Sequence, residues 1–460
     1  MKYNVKLLLF SFTLSAIFSL GIHIGYQLFG DGGAGSERLT SLGIPQVVNL
    51  DPSKGEQKVI LNDPSAQKNW GLMGTGGASD IKANSAWEIT QGDRRVVVAV
   101  IDTGIDIEHP DLAENIWQNP GETGRDSKGR NKATNGIDDD GNGYIDDVHG
   151  WDFANNKNSL VDNHGHGTHI AGIIGAVGGN GIGISGVCPK VSLMALKYFD
   201  PHSKGNDNLK NTVRAIRYAV DMGANIINYS GGGTDPNDDE FEAVKYAKEH
   251  GVLFVAAAGN EHSNSDVAHY YPADYNLSNI ISVTAINSFT KVLQSSNYGT
   301  KTVHIAAPGE GIYSTLPAGN YGLMTGTSQA TAFVSGVAAL ILSHNKDFSA
   351  EQVKKQIVAT ADEVPGLRDK TISGGKLNSY AALAMQPSIP ATGIALANNS
   401  GAGSGIVGTD SRRTEKSALF GGESEEIPNS TFNTLMKAIN RPIANAPILN
   451  PDKNKGAQHL

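Results

Sequence analysis

Residues 96–106 read VVVAVIDTGID. Six apolar residues in a row, most of them β-branched, mark a strand buried on both faces, and Thr103-Gly104 turn the chain away just after Asp102. Further strand-like runs follow at 191–199, 226–229, 252–257, 280–285 and 303–306. Helical patterns lie between and beyond them, at 211–221, 240–250, 328–344 and 350–361, the last opened by Ser349 as N-cap with Gln352 three residues on. That alternation predicts an α/β domain whose mostly parallel central sheet carries helices on both faces.

The flanks read differently. Lys2 and Lys6 precede an uncharged, largely apolar stretch, so residues 1–30 are read as a signal peptide, or as a signal anchor that holds the protein to the membrane through 7–30. Residues 31–62 form a polar, Gly-rich pro-segment or linker, and the catalytic domain is expected over 63–386. Past it, residues 387–460 are dominated by Pro, Ala, Gly, Ser and Asn, and are expected to be a disordered tail. The net charge of -9, with no basic run, argues against nucleic acid as a partner. Cys188 stands alone, so stability outside a reducing compartment has to come from something other than a disulfide, such as a metal.

Four segments carry chemistry. Asp102 sits where parallel strands place their functional residues, although an Asp capping the next turn has the same appearance. DNHGHGTHIAG, residues 162–172, holds three histidines in six residues, but no Cys or carboxylate pair stands at zinc-site spacing. In YGLMTGTSQATAFVSGVAAL, residues 321–340, Gly326 and Thr327 bring Ser328 to the first turn of an apolar helix. Ser328 is there either as a cap or as a nucleophile beside orphan N–H groups able to polarise an oxyanion. VLFVAAAGN, residues 252–260, ends in small residues and then Asn260, either a turn residue or a donor to developing negative charge.

Taken together, IDTGID, HGTHIAG, AAAGN and GTSQA occur in the order Asp, His, Ser, and resemble the signature segments of subtilisin-type serine proteases, thermitase-like in flavour. The resemblance covers about residues 63–385. It implies a serine endopeptidase in which Asp102 orients the imidazole, His166 is base and then acid, Ser328 is the nucleophile, and Asn260 helps form the oxyanion hole. It further implies that an extended peptide lies along Ser230, Gly231 and Gly232, with His164 beside the cleft and Tyr270 lining the main specificity pocket. Protein or peptide substrates and a monomer are expected. Two departures stand out: Gln329 replaces the usual Met after the nucleophile, and Ala332-Phe333 replaces Pro-His.

Calcium is the expected cofactor, at two places. DDDGNGYIDDVH, residues 138–149, sets Asp138, Asp140 and Asn142 at alternate positions, followed by Gly143 and by Asp146 or Asp147, while His149 stands where an EF-hand has Glu. The resemblance adds a site of Asp63, Asp111 and Asn180. The nearby Gly181-x-Gly183-x-x-Gly186 precedes a strand instead of following one, so it is not read as a dinucleotide fingerprint. The competing reading is a calcium-binding surface protein that keeps the fold for partner binding, which loss of a triad or oxyanion residue would signal; none is lost.

Overall fold

In a computed structural model of the 460-residue chain, residues 62–74, 79–200 and 207–385 are described. The expected signal or anchor, the linker and the tail lie outside the described residues.

Strand β1 (Gly92–Asp102) lies third from one edge of a nine-stranded sheet among the described residues. With β2 (Gly150–Asp152), β3 (Lys190–Lys197), β4 (Ile226–Tyr229), β5 (Leu253–Ala257), β6 (Ile280–Ile286), β7 (Ile305–Pro308), β10 (Asp362–Glu363) and β11 (Gly375–Lys376), the order is β10-β11-β7-β6-β5-β4-β1-β3-β2. Every pairing is parallel except β10 with β11. Val98 of β1 stands opposite Ile226 on one side and Leu193 on the other. Outside this sheet, β8 (Ile312–Leu316) and β9 (Asn320–Met324) form an antiparallel hairpin.

Alternation along β1 explains the layers. Val98 and Val100 belong to one apolar cluster, packed with helices α2 (His166–Gly175), α5 (Thr327–His344) and α6 (Ala350–Ala359). Ala99 and Ile101 point the other way, into a second cluster with α3 (Asn208–Asp221) and α4 (Asp238–Glu249). With both faces covered, β4, β5 and β6 are buried along their whole length and mostly apolar, broken only by Asn228, Ser282 and Thr284, and each buried Val or Ile contributes roughly 1.5–3 kcal/mol. Short helices α1 (Ala83–Trp87) and α7 (Ser379–Ala384) complete the first layer.

Helix boundaries follow their caps. Asp207 accepts from Lys210 N and starts α3 three residues earlier than the apolar pattern suggests. Asn237 accepts from Glu240 N and starts α4 two residues earlier than expected; the first turn carries Asp238, Asp239 and Glu240 at the positive end of the helix dipole. The expected capping box of α6 is formed, with Ser349 and Gln352 each bonding the other's backbone N–H. Because the strands from β1 through β7 are parallel, β1, β4 and β5 all end on one edge, and Asp102, Ser230 and Asn260 share it.

Candidate active site

Asp102 is the last residue of β1 and is buried. His166 opens α2, and its Nδ1 lies 2.7 Å from Asp102 Oδ1. A carboxylate only accepts, so the imidazole proton sits on Nδ1 and Nε2 is left as the basic nitrogen. The same Oδ1 accepts from Thr103 N at 2.8 Å, which fixes the carboxylate plane. Local sequence makes this approach feasible: a Cβ at Gly167 would fall on the Gly104 carbonyl, so the helix start and the strand end touch backbone to backbone. Burial pulls the His166 pKa down, but the Asp102 charge and hydrogen bond, with the Asp162 charge behind them, outweigh it and hold the pKa above its usual 6.5.

The other two histidines have different environments. His169 points Nε2 at the carbonyls of Ile312, 3.0 Å, and Gly322, 3.3 Å, and burial pushes its pKa down to about 3. It is a neutral donor between α2 and the β8–β9 hairpin, unable to act as the base. His164 packs edge-on to His166, ring centroids 6.3 Å apart.

Ser328 is the second residue of α5, which packs against α2. Its Oγ donates to Ser230 O at 3.1 Å, and no hydrogen bond joins it to His166 among the described residues. Catalytic hydrogen bonds of an unliganded site commonly tighten only when substrate arrives. Asn260 follows β5 and points its Oδ1 at Thr327, accepting from N at 3.0 Å and from Oγ1 at 3.2 Å. That pair fixes which end of the amide is oxygen, leaving Nδ2 as the donor end of the side chain.

Ser230 is buried and followed by Gly231 and Gly232. A Cβ on Gly231 would meet the Tyr198 hydroxyl at 2.7 Å, and one on Gly232 would strike Tyr271 O and the Tyr270 ring. Tyr270 thus faces inward, 3% exposed, against Gly232 and Gly259. Gly233 and Tyr271 exchange backbone bonds of 2.9 and 2.7 Å, closing this side of the edge.

The acidic residues form two groups. Asp63 accepts from Gly179 N, Gly181 N and Ser185 Oγ at 2.8, 3.0 and 2.6 Å. Asp111 accepts from Asn180 Nδ2 at 2.8 Å and Ile184 N at 2.8 Å, and burial, with the Asp63 charge adding to it, raises its pKa. These three residues are brought together.

The second group differs from its expected composition. Carboxylate oxygens of Glu122, Asp138 and Asp140 lie within 4.8 Å of one another. Glu122 is fully buried; one oxygen accepts from Asp139 N at 2.6 Å, and Oε2 has no hydrogen-bond partner among the described residues. Burial, then the charges of Asp147 and Asp140, push its pKa up. Asn142 stays beside the group, 3.3 Å from Asp140 Oδ2. Asp147 is already engaged by Asn119, Asn142 and Tyr218, at 2.9, 2.9 and 2.5 Å. Asp146 has a left-handed backbone, φ 53°, and turns its carboxylate to Gly136 N. Glu122 was missed because it stands 16 residues ahead of Asp138 in the chain, with no spacing rule to connect them.

The family model of the subtilases (peptidase S8) matches residues 93–402. Thermitase of Thermoactinomyces vulgaris is 36% identical over 307 residues, covering 67% of this chain and 95% of thermitase. The thermophilic serine proteinase of Bacillus sp. (strain AK1) is 33% identical over 307 residues, 67% of this chain and 66% of that protein. Subtilisin-like protease 1 of Plasmodium berghei (strain Anka) is 31% identical over 350 residues, 72% of this chain and 56% of that protein.

Proposed function

The chain belongs to the subtilase family and is a serine-type endopeptidase, and from that premise we propose that Asp102, His166 and Ser328 cleave peptide bonds through an acyl-enzyme. The observation that carries this assignment is the 2.7 Å contact of His166 Nδ1 with Asp102 Oδ1 at the end of β1, with α2 packed against the helix whose first turn holds Ser328. A Ser hydroxyl is a weak nucleophile at neutral pH and needs a positioned base. As Ser328 Oγ leaves the Ser230 carbonyl and attacks the scissile carbon, His166 Nε2 takes its proton. The tetrahedral oxyanion accepts from Asn260 Nδ2 and from Ser328 N–H at the positive end of α5. His166 then gives the proton to the leaving amine, and water repeats the sequence on the acyl-enzyme. Asp102 holds the tautomer and stabilises the imidazolium. The substrate lies extended along Ser230, Gly231 and Gly232, with Tyr270 at the wall of the pocket and His164 at the cleft.

Calcium is proposed at both acidic groups. Hard oxygen donors suit it, and paired carboxylates such as Asp63 with Asp111, or Glu122 with Asp140, repel one another unless a cation offsets them. Asp63, Asp111 and Asn180 would hold one ion; Glu122, Asp138, Asp140 and Asn142 would hold the other, with Asp146 and Asp147 outside the shell. The catalytic domain is proposed to span 63–386, acting as an exported monomer; export rests on the apolar stretch 7–30 behind Lys2 and Lys6. No helix among the described residues is long and apolar enough to cross a membrane.

Ser328→Ala tests the assignment. Peptide hydrolysis and covalent labelling by a fluorophosphonate should vanish while the variant stays folded, leaving roughly 10³–10⁴-fold acceleration over water. Turnover near that of the parent protein would sink it.

A further inference from the structure

Helix α2 begins on Gly165, which has no side chain to cap it. Asp162 does so from outside the helix. Its Oδ1 accepts from Gly165 N at 2.7 Å, His164 N at 3.0 Å and Thr103 Oγ1 at 2.9 Å; its Oδ2 accepts from Thr168 N at 2.9 Å and Thr168 Oγ1 at 2.7 Å. Thr103 Oγ1, having donated to Asp162, accepts from Gly167 N at 3.0 Å. A single buried carboxylate therefore ties the residue after Asp102 to the residues on both sides of His166. Few geometries could hold the Asp102–His166 pair more directly without touching either side chain.

We propose that Asp162 is a positioning residue of the catalytic pair, fixing His166 against Asp102 through Thr103 and Thr168 and adding a second negative charge behind the imidazolium formed during turnover. This rests on the triad reading above. Misplacing a reacting group by an ångström costs about 10²-fold in rate, so the clamp has a function beyond capping. The charge has a separate signature, because a buried carboxylate near an imidazole favours its protonated form. Other charged or titratable groups around His166 are few. Asp102 faces it from β1, His164 from the loop and His169 from its own helix, the last already neutral. Lys197 of β3 is bound to Asp200 at 2.8 Å and to the Val161 carbonyl at 2.8 Å. The first turn of α5 has no acidic residue, and strand β8 reads IYSTL, with no charged side chain.

The test is Asp162→Asn in the full chain, with Thr168→Val beside it. The amide of the first variant keeps the size and loses the charge; the second variant keeps the charge and loses one bond to Asp162, together with the bond from Asp106 N. In Asp162→Asn, kcat should fall about tenfold or more with KM within about twofold. The acidic limb of kcat/KM should move down by about 1 pH unit, and so should the His166 titration followed by NMR in a Ser328→Ala background. Thr168→Val should lower kcat and leave the limb in place. A folded Asp162→Asn whose limb and His166 titration are unmoved would reduce Asp162 to a helix cap and overturn the proposal. Should that variant not fold, Thr103→Val cuts both bonds that join the residue after β1 to the clamp, to Asp162 and from Gly167 N; an unchanged kcat there overturns it equally. His166→Ala separates the two readings: surviving hydrolysis in it sinks the triad, whereas its loss beside an unmoved Asp162→Asn limb sinks only this inference.

Discussion

Ser328 and Ser230 hold each other through their backbones: Ser328 Oγ donates to the Ser230 carbonyl at 3.1 Å, and Ser230 Oγ donates back to the Ser328 carbonyl at 3.3 Å. The proposed nucleophile thus rests on the strand end proposed to receive substrate. Asn228 Nδ2 supports Ser230 Oγ at 3.1 Å, and Ser335, two turns along α5, donates to Asn228 Oδ1 at 2.8 Å. Nucleophile and cleft are therefore built as one unit.

Activity should fail on the acid side as His166 gains a proton. Its pKa is held above 6.5, and only the neutral imidazole can take the Ser328 proton, so kcat/KM rises with pH through a midpoint above 6.5. A profile on a small peptide anilide measures this. A midpoint a full unit lower would contradict the environment described for His166.

Replacing Asn260 by Ala should remove one oxyanion donor and lower kcat about 10²–10³-fold with little effect on KM. The loss belongs to the transition state because Nδ2 meets charge that develops only there. Asn260 Oδ1 also holds Thr327, so a thermal melt must accompany the kinetics. An unchanged kcat would remove Asn260 from the hole.

Chelation by EDTA should lower the melting temperature, since an ion present at about a hundredfold over its dissociation constant adds about 2.7 kcal/mol. Glu122→Gln should lose part of the calcium-dependent gain, whereas Asp146→Asn should keep it. The reverse order would return the second ion to the loop residues alone.

Glu240→Gln should stabilise the protein above pH 7. Burial raises the Glu240 pKa from 4.5 to about 7, so the folded state carries a proton there that the unfolded chain has released, and stability falls as pH rises from 4.5 towards 7. The amide has no proton to lose and can still accept from Tyr275 OH, which lies 3.1 Å from Glu240 Oε2. At pH 8 the gain should reach about 3 kcal/mol, disappearing below pH 4.5, as read from urea melts at both pH values. A gain that does not depend on pH would point to packing.

Much of the architecture could be read along the chain because it depends on near neighbours. The run from Val96 to Ile101 alternates between two cores, and Ser349 with Gln352 closes a capping box three residues long. The β8–β9 hairpin and the two-residue strands β10 and β11 were not read, being too short or too mixed for a period to emerge. Strand β7 begins at Ile305 and not at 303, because Val303 N is turned back to Gly299 O.

The amino-acid sequence by itself determined the α/β class, the parallel sheet and the residue types at the ends of β1, β5 and α5, since burial patterns and caps act over a few residues. Only the tertiary structure decided which polar groups share an environment. Asp102 and His166 meet across 64 residues, Thr103 and Asp162 across 59, and Glu122 becomes a buried, half-satisfied carboxylate only when the 138–140 turn closes over it. A carboxylate's charge state and role follow from its solvation and its partners, and distant parts of the chain supply both.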